Sequence, residues 1–275
     1  AADVLGDRLA ILNSSDNAIA LVDLDGGSTV ACIGTGTGSS PWELAADPSD
    51  PSRVWVTCFL SGELLELDLD ARRVVRRHLV GPGLEGLWVG PTEVAVSLTG
   101  FQGEIGAFGE GTVVVLDKSS LAEQARLGVP PNPQTIFAGA DGRLHVVCTG
   151  NFADVDGRVV RLESDYSAVR DTLVLGGSPQ RVAMTPQGKA YLAGFYGGIT
   201  GYDTASFTAL HTAAAPLIAG TGYSALAWYD GRLYAANFDQ DRVSVLDPAT
   251  GALLDGFLAG DGPIAVAVVP IRALD

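Results

Sequence analysis

The stretch "NFADVDGR" places Asn151, Asp154 and Asp156 close together ahead of a turn glycine. Oxygen donors at that spacing suit a hard cation such as Ca²⁺. Glu104 or Glu110, from residues 97–112, could add a carboxylate. The run lacks full EF-hand spacing and the bidentate Glu that ends such a loop, so a plain acidic turn competes with a metal site. Other chemistries find less support. His78, His145 and His211 fall in separate segments rather than together, which disfavours zinc or copper. Neither a nucleophile-elbow G-x-S-x-G nor a phosphate loop is present, and no His accompanies a Ser or Cys in a candidate loop. Cys32, Cys58 and Cys148 have no metal-type spacing; they allow at most one disulfide, and each reads equally as a small buried hydrophobe.

A second set stands out by position. Trp42, Glu43, Glu85, Gln134, Gln180, Arg181 and Tyr223 lie at the start of short apolar segments such as "WELAADP", "QTIFAGA" and "QRVAMTP". What they could do depends on the elements that place them. The chain writes one phrase repeatedly: "LAILNSSDNAIALVDLDGG" (9–27), "VWVTCFLSGELLELDLDAR" (54–72) and "LYAANFDQDRVSVLDPATG" (233–251). Each is a strand, a turn, a second strand and another turn. The acid closing the second strand recurs as Asp23, Asp68, Asp117, Glu163, Asp203 and Asp247, at intervals of 40–49 residues. An acid there makes an Asx-type turn with the backbone N–H groups that follow. A period of that length with strand signals alone marks a β-propeller, since a helical solenoid would need apolar residues spaced by 3.6.

Each unit reads as four strands, A to D, with the smallest and most apolar innermost and the charged one at the outer edge. The chain opens on B, C and D ("RLAILNS", "AIALVDL", "TVACIGT") and closes on an A-like segment, 262–275. Joining the ends gives a 51-residue interval from Asp247 round to Asp23, one more repeat. The expectation is therefore an all-β, six-bladed propeller of four-stranded antiparallel blades, closed by the C-terminal strand joining the N-terminal blade. It forms a single domain over 1–275, with blades near 41–81, 82–130, 131–177, 178–220 and 221–260 and a mixed blade from 1–40 plus 261–275. Closure would protect strand edges.

Composition agrees. The 275 residues are 47% hydrophobic and 18% charged with 35 glycines, which suits short strands and tight turns. A net charge of −15 repels nucleic acid and anionic lipid. No apolar run of about 18 residues is present to span a membrane. The Ala-Ala start is of the kind left by signal-peptide cleavage, which points to a periplasmic or secreted protein.

The unit best written at "RLYAANFDQDRVSVLDPATGALLDGFLAGDGP" (232–263), and again at 41–81 and 178–203, resembles the YVTN family of β-propeller repeats, which includes YncE-like periplasmic proteins. The resemblance implies an extracytoplasmic bacterial propeller but no one ligand, and the six repeats here depart from the seven blades commoner in that family. In such a disc the B–C loops share one face with the channel mouth. Two adjacent loops, 97–112 and 148–158, are long, and Phe59, Phe101, Phe108, Phe152, Phe195, Tyr196 and Phe238 gather on that face, as a packing plug or as a binding rim. The leading expectation is a module without catalytic residues or required cofactor, binding a partner protein or envelope component. Trp42, Gln134, Gln180, Arg181 and Tyr223 would be central, with Glu43 and Glu85 beside them. A Ca²⁺-dependent hydrolase of the six-bladed lactonase kind is the alternative, with Glu43, Glu85, Asn132 and Asp154 imitating its channel set. A structural cell-surface module, needing no pocket, is a third.

Overall fold

A computed structural model describes residues 2–5 and 7–268. Every regular element in it is a β-strand. Twenty-four of these strands form six sheets of four, each strand hydrogen-bonded antiparallel to its neighbours. The six sheets are the blades of a propeller. Their innermost strands are Ala2–Leu5, Pro41–Asp47, Leu84–Val89, Pro133–Ala138, Pro179–Met184 and Tyr223–Tyr229. The remaining two-stranded sheet pairs Phe101–Gln102 with Ala107–Phe108, inside the long loop of blade 3.

The second and third strands of a blade are apolar on both faces because other blades flank them. Val94, Ala95 and Val96 are fully buried, as are Val113, Val114 and Val115 opposite them. Each blade face packs on its neighbour: Val113 and Val115 of blade 3 join Val146, Cys148 and Val160 of blade 4 in one cluster. The outermost strands, such as Arg73–Leu79 and Leu253–Leu258, are largely exposed, and the first carries three arginines and a histidine. A lone four-stranded sheet would leave both such apolar faces wet; stacking buries them.

The closing acids behave as turn formers. Asp23 accepts from the Asp25 N–H, Asp68 from Ala71, Asp117 from Ser119 and Ser120, Asp203 from Ser206 and Asp247 from Ala249, at 2.7–3.1 Å. Glu163 is the exception; it pairs with Arg170 and leaves the turn to Asp165. The side-chain hydroxyls of Ser119 and Ser120 and their backbone N–H groups hold the Asp117 carboxyl down at about 2.

Hydroxyls stitch each blade to the next. Ser14, Thr57, Ser97 and Thr149, at or just past the end of the second strand in blades 1–4, donate to the carbonyls of Pro41, Glu85, Pro133 and Pro179 at 2.5–2.9 Å. Ser224 of blade 6 donates to the Pro263 carbonyl at 2.6 Å. Residue 263 thus receives the bond that the inner-strand starts of blades 2–5 receive. Val266 packs against Ala225, Ala236 and Val243 of blade 6. The chain after blade 6 therefore runs where a closing strand would begin.

It does not complete blade 1 there. That inner position is filled by Ala2–Leu5, paired with Arg8–Asn13 from Ala2↔Ile11 to Leu5↔Arg8. Residues 262–268 carry no strand, and 269–275 of the expected closing strand lie outside the described residues. The physical reason is local. Two connecting residues close the N-terminal hairpin at small entropic cost, whereas a strand from 262–275 must return across the whole chain to pair with the same edge.

Candidate functional site

The inner strands are interrupted at one recurring place. In blades 2, 4, 5 and 6 the register skips a residue between Pro41 and Glu43, Pro133 and Thr135, Pro179 and Arg181, and Tyr223 and Ala225. Blade 3 slips at the same point, leaving Glu85 and Gly86 facing Ser97. These are β-bulges, which bend a strand and re-aim a side chain. The re-aimed residues are Trp42, Glu85, Gln134, Gln180 and Ser224. Four of them, all but Glu85, line a cavity of about 200 Å³ at the channel mouth, together with Ser14, Arg181, Phe195 and Ile264. Blade 1 keeps an unbroken register and contributes Ser14 from beyond its second strand.

Below the mouth, a second cavity of about 240 Å³ occupies the channel, among Ala2, Leu87, Ile136, Val182, Leu226 and Val266. Arg181 lines both cavities, and its guanidinium donates to the Glu43 carboxylate. Blades 2 and 5 stand opposite each other in a ring of six. This ion pair therefore bars the channel where the two cavities meet. Burial lowers Arg181 to about 10, which leaves it charged at neutral pH.

Glu85 is only 3% exposed, and burial pushes its carboxyl up to about 8. It is a neutral acid at pH 7, and its Oε2 has no hydrogen-bond partner among the described residues. Asn132 is fully buried, its Oδ1 accepting from Gln134 Nε2 at 3.2 Å while its own Nδ2 is unpartnered. The indole Nε1 of Trp42 is likewise buried without a partner among the described residues. Tyr223 does not line the mouth. It packs with Ala183, Tyr191 and Leu226, and the bulge hands its place to Ser224. Sequence periodicity marks the region but carries no sign of the bulge.

Aromatic rings continue outward from the mouth. Trp42 meets Phe59 at 5.6 Å between centroids, Phe59 meets Phe101 at 6.1 Å, Phe101 meets Phe108 at 5.2 Å and Phe108 meets Phe152 at 5.9 Å. Such spacings are those of attractive offset and edge contacts. On the far side Phe195 meets Phe238 at 5.8 Å. Packing explains part of this: a Cβ on Gly262 would fall 2.5 Å from the Phe238 ring, so one side of that ring lies against the chain that leaves blade 6. It does not explain the rest, because Phe101, Phe152 and Tyr196 remain exposed, the last at 62%, beside exposed Leu60 and Ile105.

The expected cation ligands have other partners. Asn151 Oδ1 accepts from the N–H groups of Ala153, Asp154 and Val155, and its Nδ2 donates to Asp154 at 2.8 Å. Two of the three donors thus fold their own loop, and Asp156 is exposed. Among the described residues no group of three or more His, Cys, Asp or Glu is placed to hold a metal. Glu43, Glu85 and Asp154 therefore form no such group. All three cysteines are free thiols, with burial raising Cys58 to about 11. Among the described residues no helix is long and apolar enough to cross a membrane.

His145 was not foreseen as a buried centre. It is fully buried between blades 4 and 5, with Nδ1 2.7 Å from the Tyr202 hydroxyl and Nε2 3.1 Å from Asp141. Arg161 bridges Asp141 and Asp171 beside it. Enclosed by Phe137, Phe207 and Tyr202, the network is a structural brace.

No family model matches the chain, and no curated protein matches it in sequence. Solved chains that resemble it number 1383. One belongs to the hydrazine synthase of Kuenenia stuttgartiensis, with a TM-score of 0.76 over 96% of this chain and 87% of that one, at 15% identity. At that identity the likeness shows the fold alone: a six-bladed β-propeller.

Proposed function

We propose that the protein is a binding module whose loop face docks a partner protein or envelope component outside the cytoplasm. One observation carries the reading. A run of touching rings leads from Trp42 at the channel mouth to exposed Phe101 and Phe152 on the two long B–C loops. Aromatic side chains give much contact area for little conformational entropy, and clustered exposed ones mark interaction sites. Glu104, Glu110, Asp154 and Asp156 lie in the same loops, so the partner surface that complements them is cationic. The extracytoplasmic setting rests on the resemblance to YVTN-type repeats; three unpaired thiols add nothing to it.

The test is capture from an envelope extract by three forms of the protein: wild type, a Phe101→Ser/Phe152→Ser double variant, and an outer-edge Leu79→Ser/Leu254→Ser control. A partner held by wild type and the edge control but lost by the loop variant supports the reading. Equal retention by all three forms contradicts it.

A further inference from the structure

We propose that the channel mouth is a subsite for one neutral, polyhydroxylated ring, such as a single sugar residue of a carbohydrate. The proposal deepens the binding-module reading and rests on it for the role of the loop face. Size comes first: about 200 Å³ falls below the roughly 300–1,000 Å³ of sites for drug-sized ligands, so the mouth takes one ring.

Charge narrows the class. Arg181 is the cationic group in the lining, and Glu43 already neutralises it. An anion would have to displace a partly buried carboxylate inside a protein of net charge −15; a cation would have to displace the guanidinium. What remains free to bind is neutral: the amide oxygen of Gln134, whose nitrogen is held by Asn132, the amide of Gln180 and the indole N–H of Trp42. That N–H is buried with no acceptor among the described residues. A buried donor without an acceptor is costly, so a hydroxyl oxygen that reaches it is favoured there.

Shape narrows it further. Trp42 on blade 2 and Phe195 on blade 5 wall the mouth from opposite sides. A ring with an apolar C–H face and hydroxyls round its edge matches both kinds of wall at once. The bulges at Trp42, Gln134 and Gln180 belong to sheet backbone, so these groups are held rather than carried on mobile loops.

Titration calorimetry and tryptophan fluorescence with glucose, galactose, N-acetylglucosamine and their disaccharides test this, with glucuronate and choline as charged probes. The expected result is saturable one-to-one binding of at least one neutral sugar. A Gln180→Ala variant should weaken it tenfold or more at unchanged melting temperature, and the outer-edge Leu79→Ser should leave it intact. Absence of neutral-sugar binding at millimolar concentration, preference for a charged probe, or indifference to the glutamine variant overturns the proposal. Partner capture separates the two failures: if sugars fail while the loop variant still loses its partner, the loop face stands and the sugar subsite does not.

Discussion

Replacing Glu85 by Gln keeps the side chain's shape and removes its ability to ionise. In the folded protein the carboxyl titrates at about 8 because burial penalises its charge, against 4.5 in an exposed chain. The folded state therefore holds a proton that the unfolded state releases. The stability this gives is complete below the unfolded value and is lost as pH rises through about 8. Each pH unit in between removes about 1.4 kcal/mol, and from pH 5 to pH 9 the single group removes about 4 kcal/mol. Glu85→Gln lacks the titration, and every other group is common to both proteins. Urea unfolding of the two at pH 5, 7 and 9 should thus show a stability difference that widens by about 4 kcal/mol in favour of the variant. Parallel pH profiles would refute the reasoning: they would mean that Glu85 is hydrated or paired, and charged, in the folded protein.

Lys118 donates to Asp47, Ser49 and the Gly90 carbonyl. Burial alone would raise Asp47, but the Lys118 bond, with Ser49 and Trp55, outweighs it and holds the carboxyl at about 2. Lys118→Met should cost about 3–5 kcal/mol by chemical denaturation, because it strands a buried charge. Tyr202→Phe removes the partner of His145 Nδ1 and should cost about 1–3 kcal/mol. Burial lowers His145 in spite of Asp141, so its neutral form contributes stability above pH 6.5 that is lost as the solution is acidified below that value. A His145→Gln variant should show a shallower decline in melting temperature from pH 7 to pH 5. Chelation should leave the wild-type melting temperature unchanged, since Asn151 and Asp154 bond within their own loop; a drop of several degrees would restore the cation site.

Much of the architecture is legible because it is periodic. The recurring acid at Asp23, Asp68, Asp117, Asp203 and Asp247 makes a local hydrogen-bonded turn whose cause is contained in three or four residues. Blade 1 is less legible, because two segments suit its inner position and the choice between Ala2–Leu5 and 262–275 is one of chain entropy. The mouth sits between these cases. Variation at Trp42, Gln134 and Gln180 against a constant apolar background marked the place, yet a bulge is a property of pairing and leaves no trace in periodicity. It is the bulge that turns Ser224, rather than Tyr223, toward the mouth. The Glu43–Arg181 pair joins blades 138 residues apart in sequence, and His145 meets Tyr202 across 57. The ring brings the first pair together across the channel, and stacking of adjacent blades brings together the second.

The most direct test of the loop face as the working surface is site-specific photo-crosslinking in envelope extract. A photoreactive residue is placed in turn at Phe101, Phe152 and Tyr196, and at Leu79 and Leu254 on the outer edges. The expected result is one discrete adduct from the three loop positions and none from the edges. Adducts from the edges alone, or none from any position, would contradict it.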